Sequence, residues 1–146
     1  MGRQTEATVQ RLRRLARALV QDVDGADALV LETLSIHERR ATSLQQRMTT
    51  LIGLRRKRED GKGHSGSPVR PRPGGNHPEV IRAFDTLPLA DREVLALIAV
   101  EHLDYDDAAA ILGLPLTTFI TRLTRARESL NRVVEGERHV VLRVVK

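Results

Sequence analysis

Apolar residues recur three and four positions apart along most of this chain, and the elements that spacing predicts are helices. Between residues 7 and 20, Val9, Leu12, Leu15, Ala16 and Leu19 alternate with arginines, which predicts one amphipathic helix. Gly25 among its aspartates predicts a break, and residues 26–39 predict a second helix. Ser43 suits the cap of a third, over residues 44–58, with Met48, Leu51 and Ile52 inward. The pattern resumes at Pro78, a residue suited to a first helical turn, with Val80, Ile81 and Phe84 as a short stripe. Residues 89–101 then place Val94, Leu95, Leu97 and Ile98 inward. Asp91, Arg92 and Glu93 form a charged group at that helix's start, where carboxylates are favoured by the dipole. The tail departs from the pattern: Val140, Val141, Leu142, Val144 and Val145 make it β-prone, with no partner strand.

Residues 105–127 carry the most specific signal. Ala109, Ile111 and Leu112 face inward on a first short helix, and Ala109 is small enough to admit a second helix closely. Gly113 stands where that helix must stop in a left-handed conformation, which a residue without Cβ adopts at no steric cost. Pro115 cannot continue the helix, and the threonines after it are candidates to cap the next. Phe119, Leu123, Ala126 and Leu130 recur as the buried stripe of the second helix. Thr117, Thr118, Thr121, Arg122 and Arg125 are left on its outer side. An ordinary helical hairpin shares some of these features. The combination with an arginine-bearing second helix points to a helix-turn-helix that enters the major groove.

Charge and composition narrow the classes. Residues 1–77 contain 15 Lys/Arg and 8 Asp/Glu, whereas residues 78–146 contain 9 and 11, so the halves carry +7 and −2. Within the acidic half the second helix of the motif reverses sign, with Arg122, Arg125, Arg127 and Arg132 against Glu128, a stripe able to neutralise phosphates. Arg55, Arg56, Lys57 and Arg58 form a second basic run, read both as cations opposing a helix C-terminus and as a phosphate-contacting patch. Residues 61–77 hold five glycines and two serines, and with Pro78 counted four prolines, the composition of a flexible linker. His64 and His77 within it lack companions and make a poor metal site. The absence of cysteine removes disulfides, thiol nucleophiles and cysteine-based zinc sites. There is no apolar run of membrane-spanning length and no hydrophobic leader, so a cytoplasmic protein is expected.

The second half resembles region four of bacterial sigma factors, particularly the extracytoplasmic-function (ECF) group. The family's elements stand here as Leu87-Pro88, Arg92-Glu93-Val94-Leu95, Tyr105 to Pro115, and Arg122-Leu123-Thr124-Arg125-Ala126-Arg127. LuxR-type regulators share a related motif, but the Arg-Ala-Arg ending is closer to sigma factors. Thr117 and Ile120 depart from the family's usual glycine and basic residue. The first half is similar to a worn region two, through Ala16-Arg17-Ala18-Leu19, Asp22, and Ala26 to Leu34. After Thr33 the likeness decays. The family's aromatic residues and downstream asparagine are replaced by Gln46-Arg47-Met48 and Leu51 to Arg55.

The resemblance implies an all-α fold of two small helical domains, at 1–60 and 78–134, joined by the linker 61–77, with a tail at 135–146 of unassigned role. It implies a sigma factor that binds RNA polymerase core and directs it to promoter DNA. Arg122 and Arg125 would be the leading DNA contacts, and Thr117, Thr118 and Thr121 would donate hydrogen bonds to phosphate or base edges. Asp27, Leu31 and Glu32 would grip the polymerase. No catalytic residue, cofactor or metal is expected, and no membrane insertion. An anti-sigma protein is a further implied partner. A reading from another class is a sigma-like regulator that occupies an anti-sigma protein by mimicry. Its motive is that Phe84, Tyr105 and Phe119 are the only aromatics and all follow residue 78, whereas unpaired bases are usually held on aromatic rings. A plain helix-turn-helix repressor would leave the region-two likeness unexplained. Limited proteolysis should cut within residues 61–77 before any flanking helix; equal resistance throughout would count against the two-domain organisation.

Overall fold

A computed structural model describes residues 2–61 and 78–144, with side chains for 2–58 and 78–136. Among the described residues the structure is helical and contains no strand. Seven helices follow one another: α1 (Gly2–Leu19), α2 (Val23–Ile36), α3 (Leu44–Gly61), α4 (Pro78–Thr86), α5 (Leu89–Leu95), α6 (Tyr105–Leu112) and α7 (Leu116–Val144). A π-helical turn, Ala96–Val100, continues α5, and the chain leaves it through His102 in the left-handed region, φ 54°.

The caps set the boundaries. The break in the first half lies at residues 20–22 rather than at Gly25. Asp22 is the N-cap of α2, and its carboxylate accepts from the Gly25 N–H at 3.1 Å, so the glycine sits inside the first turn. Ser43 and Gln46 form a reciprocal capping box at α3: Gln46 N–H donates to Ser43 Oγ at 3.1 Å, and Ser43 N–H to Gln46 Oε1 at 2.9 Å. The expected linker, residues 61–77, lies outside the described residues except for Gly61, the last residue of α3. The β-prone tail is corrected: α7 runs without interruption to Val144. A valine-rich segment needs a neighbouring strand to stay extended, and here it follows a helix already nucleated, so propagation decides.

α1, α2 and α3 pack together, and α4, α5 and α6 pack on α7. The two groups then meet, α1 against α5 and the π turn, and α3 against α6. One buried cluster passes from Leu12, Leu15 and Leu51 in the first group to Val94, Leu97 and Phe119 in the second. At about 60 residues, each half alone is near the limit at which a single core is stable, and the shared core extends both.

The seam between the halves also contains charge. Glu93 and Glu101 are only 2% and 4% exposed, and a buried carboxylate is tolerated only when paired. Arg56 supplies the partner for Glu93 through two parallel bonds, Nε to Oε1 at 3.0 Å and Nη2 to Oε2 at 2.7 Å. The Glu93 hydrogen bond holds the Arg56 guanidinium above its ordinary pKa despite the opposing effect of burial. Arg11 donates to Glu101 Oε2 at 2.9 Å and to its backbone oxygen at 3.3 Å, while Arg14 stands 3.7 Å from Oε1. The buried Arg92 donates to the Leu19 carbonyl at the C-terminus of α1, which Arg55 also reaches, at 3.1 and 3.2 Å. That carbonyl has no acceptor role within its own helix, so a cation from each half satisfies it. Within the group at residues 91–93, Arg92 and Glu93 therefore do more than complement the helix dipole, because they are bolts across the seam. The Arg55–Arg58 run is likewise largely engaged, since Arg58 pairs with Glu32 and reaches the Gly25 carbonyl.

Removing a buried carboxylate should matter more than removing a surface one. Glu93→Ala should lower the unfolding free energy by about 1–3 kcal/mol in denaturant titrations. Arg13→Ala, which loses a 3.8 Å pair with Asp27 between half-exposed side chains, should change it by less than about 0.5 kcal/mol.

Candidate nucleic-acid interface

The turn between α6 and α7 is set by backbone geometry. Gly113 adopts φ 67° and ψ 33°. Its N–H bonds to Ala110 O at 3.1 Å, and the Leu114 N–H bonds to Ala109 O at 2.9 Å, the paired bonds of a Schellman termination. A Cβ added at Gly113 would meet nothing within 4 Å. Glycine is needed for its conformation, not for space. Ala108 and Ala109 are buried on α6, and the Tyr105 ring lies 6.0 Å from that of Phe119 at 51°, fixing the start of α6 against α7.

Phe119 is fully buried, and Leu123 and Ala126 follow it into the core. Taking that row as inward, a rotation of about 100° per residue sets Thr117, Thr121 and Thr124 on the opposite side. Thr118, Arg122 and Arg125 lie on one flank, and Leu116, Ile120 and Arg127 on the other. All nine of these residues are exposed. α7 begins at Leu116, so the threonines belong to its first turns and do not stand at the capping position. The Thr121 hydroxyl donates to Thr117 O and the Thr124 hydroxyl to Ile120 O, both at 3.0 Å. Thr121 is thus an acceptor toward solvent rather than the donor expected from sequence.

The two arginines differ in outlook. Arg125 is on the open flank. Arg122 lines an open cleft of about 430 Å³ together with Arg56, Glu93, Leu89, Leu112 and Leu114, at the seam between the halves. The residues expected to grip polymerase lie apart from this interface, on α2. Leu31 is 66% exposed, Glu32 is paired with Arg58, and Asp27 is partly buried beside Arg13. Among the described residues, no group of three or more His, Cys, Asp or Glu is gathered as a metal site, and no helix is long and apolar enough to cross a membrane.

Sequence reasoning missed Thr124, although its spacing from Thr117 and Thr121 places it on the same face. It also missed the seam residues Arg11, Arg92, Glu93 and Glu101. No pattern within one helix marks them, because their partners are 37 to 90 positions away or on another helix's backbone.

A family model described as sigma-70, region 4, matches residues 77–130, a span that contains α4, α5, α6 and the exposed threonine face of α7. The chain is 33% identical over 147 residues to the ECF RNA polymerase sigma factor EcfG of Rhodopseudomonas palustris (strain TIE-1), covering 88% of this chain and 81% of that one. Its fold is similar to that of the sigma factor RpoE of Bartonella quintana, solved in complex with the anti-sigma factor NepR. The TM-score is 0.72 at 24% identity, covering 92% of this chain and 96% of that one.

Gly113→Val should destabilise the protein by at least about 1–3 kcal/mol, since a β-branched residue resists positive φ. Thr117→Ala, on the exposed face, should fall within about 0.5 kcal/mol. Thermal melts showing the two variants alike would remove Gly113 from its assigned role.

Proposed function

The chain belongs to the ECF family of RNA polymerase sigma factors, and we propose that it reads the upstream promoter element with the exposed face of α7. The protein binds RNA polymerase core and directs promoter-specific initiation, with promoter DNA as its nucleic-acid partner. No chemistry on a substrate forms part of this role. The observation that carries the reading is the Gly113 turn, which presents a helix buried through Phe119 and Leu123 and open through Thr117, Thr121 and Arg125. Arg122 and Arg125 supply cations to the phosphates on one wall of the groove, and the threonines lie toward the base edges.

The polymerase grip is assigned to α2. Its surface sets the 66%-exposed Leu31 beside Asp27 and Glu32, an apolar centre with a rim of carboxylates that stand next to Arg13 and Arg58. An anti-sigma protein is the second proposed partner, supported by the complex in which the structurally similar RpoE was solved. The two helical units keep the boundaries 1–60 and 78–134 in this reading, with 61–77 connecting them.

Arg122→Ala combined with Arg125→Ala should weaken promoter binding and reduce the slope of log affinity against log salt by about one for each phosphate that is no longer neutralised. The measurement is a salt titration of duplex binding by the full chain bound to polymerase core. A wild-type protein that binds neither core nor promoter in preference to random DNA, while gripping an anti-sigma protein, would replace initiation by mimicry.

A further inference from the structure

The outermost strip of α7 is chemically unusual for a surface that meets DNA. The exposed arc is filled by Thr117, Thr121 and Thr124, and Ile120, 41% exposed, stands at its edge on the flank of Arg127. No amide or cationic side chain stands on this arc. Arg125 and Arg127 lie on its two flanks, and Glu128 bounds it at the C-terminal end. The hydroxyl protons of Thr121 and Thr124 are committed to backbone oxygens of α7 itself, so what these residues turn outward is a γ-methyl group and a weak acceptor. The strip lacks the side chains that make bidentate bonds to guanine or adenine. Four methyl-bearing side chains spaced along about 10 Å of helix span roughly three base-pair steps. In the major groove one base carries an apolar group on its edge, thymine with its C5-methyl.

We propose that α7 selects its promoter element by packing Ile120 and the γ-methyls of Thr117, Thr121 and Thr124 against thymine C5-methyl groups. Arg122 and Arg125 on one flank and Arg127 on the other hold the helix between the phosphate walls. This inference rests on the reading that α7 enters promoter DNA. It adds that thymines are the bases preferred beneath the strip, and that recognition there is apolar.

The test starts from duplexes selected out of a random library by the full-length chain bound to polymerase core. Each thymine of the selected element is replaced in turn by deoxyuridine, which deletes the C5-methyl and leaves every hydrogen-bonding group in place. At two or three adjacent thymines affinity should fall roughly fourfold per methyl removed. Ile120→Ala should abolish the penalty at one of those positions. Thr121→Ser and Thr124→Ser, which remove the γ-methyl and keep the hydroxyl, should abolish it at others, whereas Thr121→Val and Thr124→Val should retain it. Selective binding that is indifferent to uracil at every position overturns the inference and leaves promoter reading intact. So does a penalty that the valine variants lose and the serine variants keep, since hydroxyls would then be the readers. An absence of any selected sequence overturns both.

Discussion

Two nearly dry carboxylates at the seam between the helical halves set the terms for the rest of this molecule. Glu93 and Glu101 come from the segment that leads into the helix-turn-helix, and their partners Arg56, Arg11 and Arg14 come from the first half. A charge in such a place costs several kcal/mol unless it is met with good geometry. The bidentate Arg56 bond meets that requirement at Glu93, whereas at Glu101 Arg11 bonds Oε2 and the backbone oxygen and Oε1 has only the Arg14 charge 3.7 Å away. Because these bonds are directional, they fix how the halves sit. The apolar contacts around them supply the larger stabilisation but would tolerate more than one arrangement.

The same seam governs what the basic residues of the first half can do. Arg55 and Arg56 are turned to the Leu19 carbonyl and to Glu93, and Arg58 is held by Glu32. A cluster that counts as four cations on paper presents little of that charge without partners. On α7, by contrast, Arg125 and Arg127 are exposed and stand in no salt bridge among the described residues. Unpaired positive charge is thereby concentrated on the element whose start is fixed by the Gly113 turn, and Arg122 is placed where that surface adjoins the cleft.

The α7 face is produced by a single rotational choice. Among the described residues Phe119 is the largest fully buried side chain, and its burial against α6 fixes which side of the helix turns outward. Once it is in, threonines at 117, 121 and 124 must face out, because a helix turning about 100° per residue offers them no other place. The make-up of this surface follows from the packing beneath it.

The sequence by itself determined the helical class, the cap at Ser43, the left-handed Gly113 and the buried Phe119–Leu123–Ala126 row. These are local matters: each is settled by residues within a few positions, through backbone conformation, side-chain capping or helical periodicity. The family likeness was legible for the same reason, since the Tyr105 to Pro115 motif and the Arg122 to Arg127 ending are contiguous. Only the tertiary structure decided the fates of Arg92, Glu93 and Arg56. A charged triplet at a helix start reads as a complement to the helix dipole, and nothing nearby in sequence reveals that α1 and α3 supply partners for it. It also decided the tail, where β-propensity yielded to a helix already running, and the hydroxyls of Thr121 and Thr124, turned onto their own helix. Charges and hydroxyls take their roles from whatever lies opposite them in space, and that is the information a linear pattern does not hold.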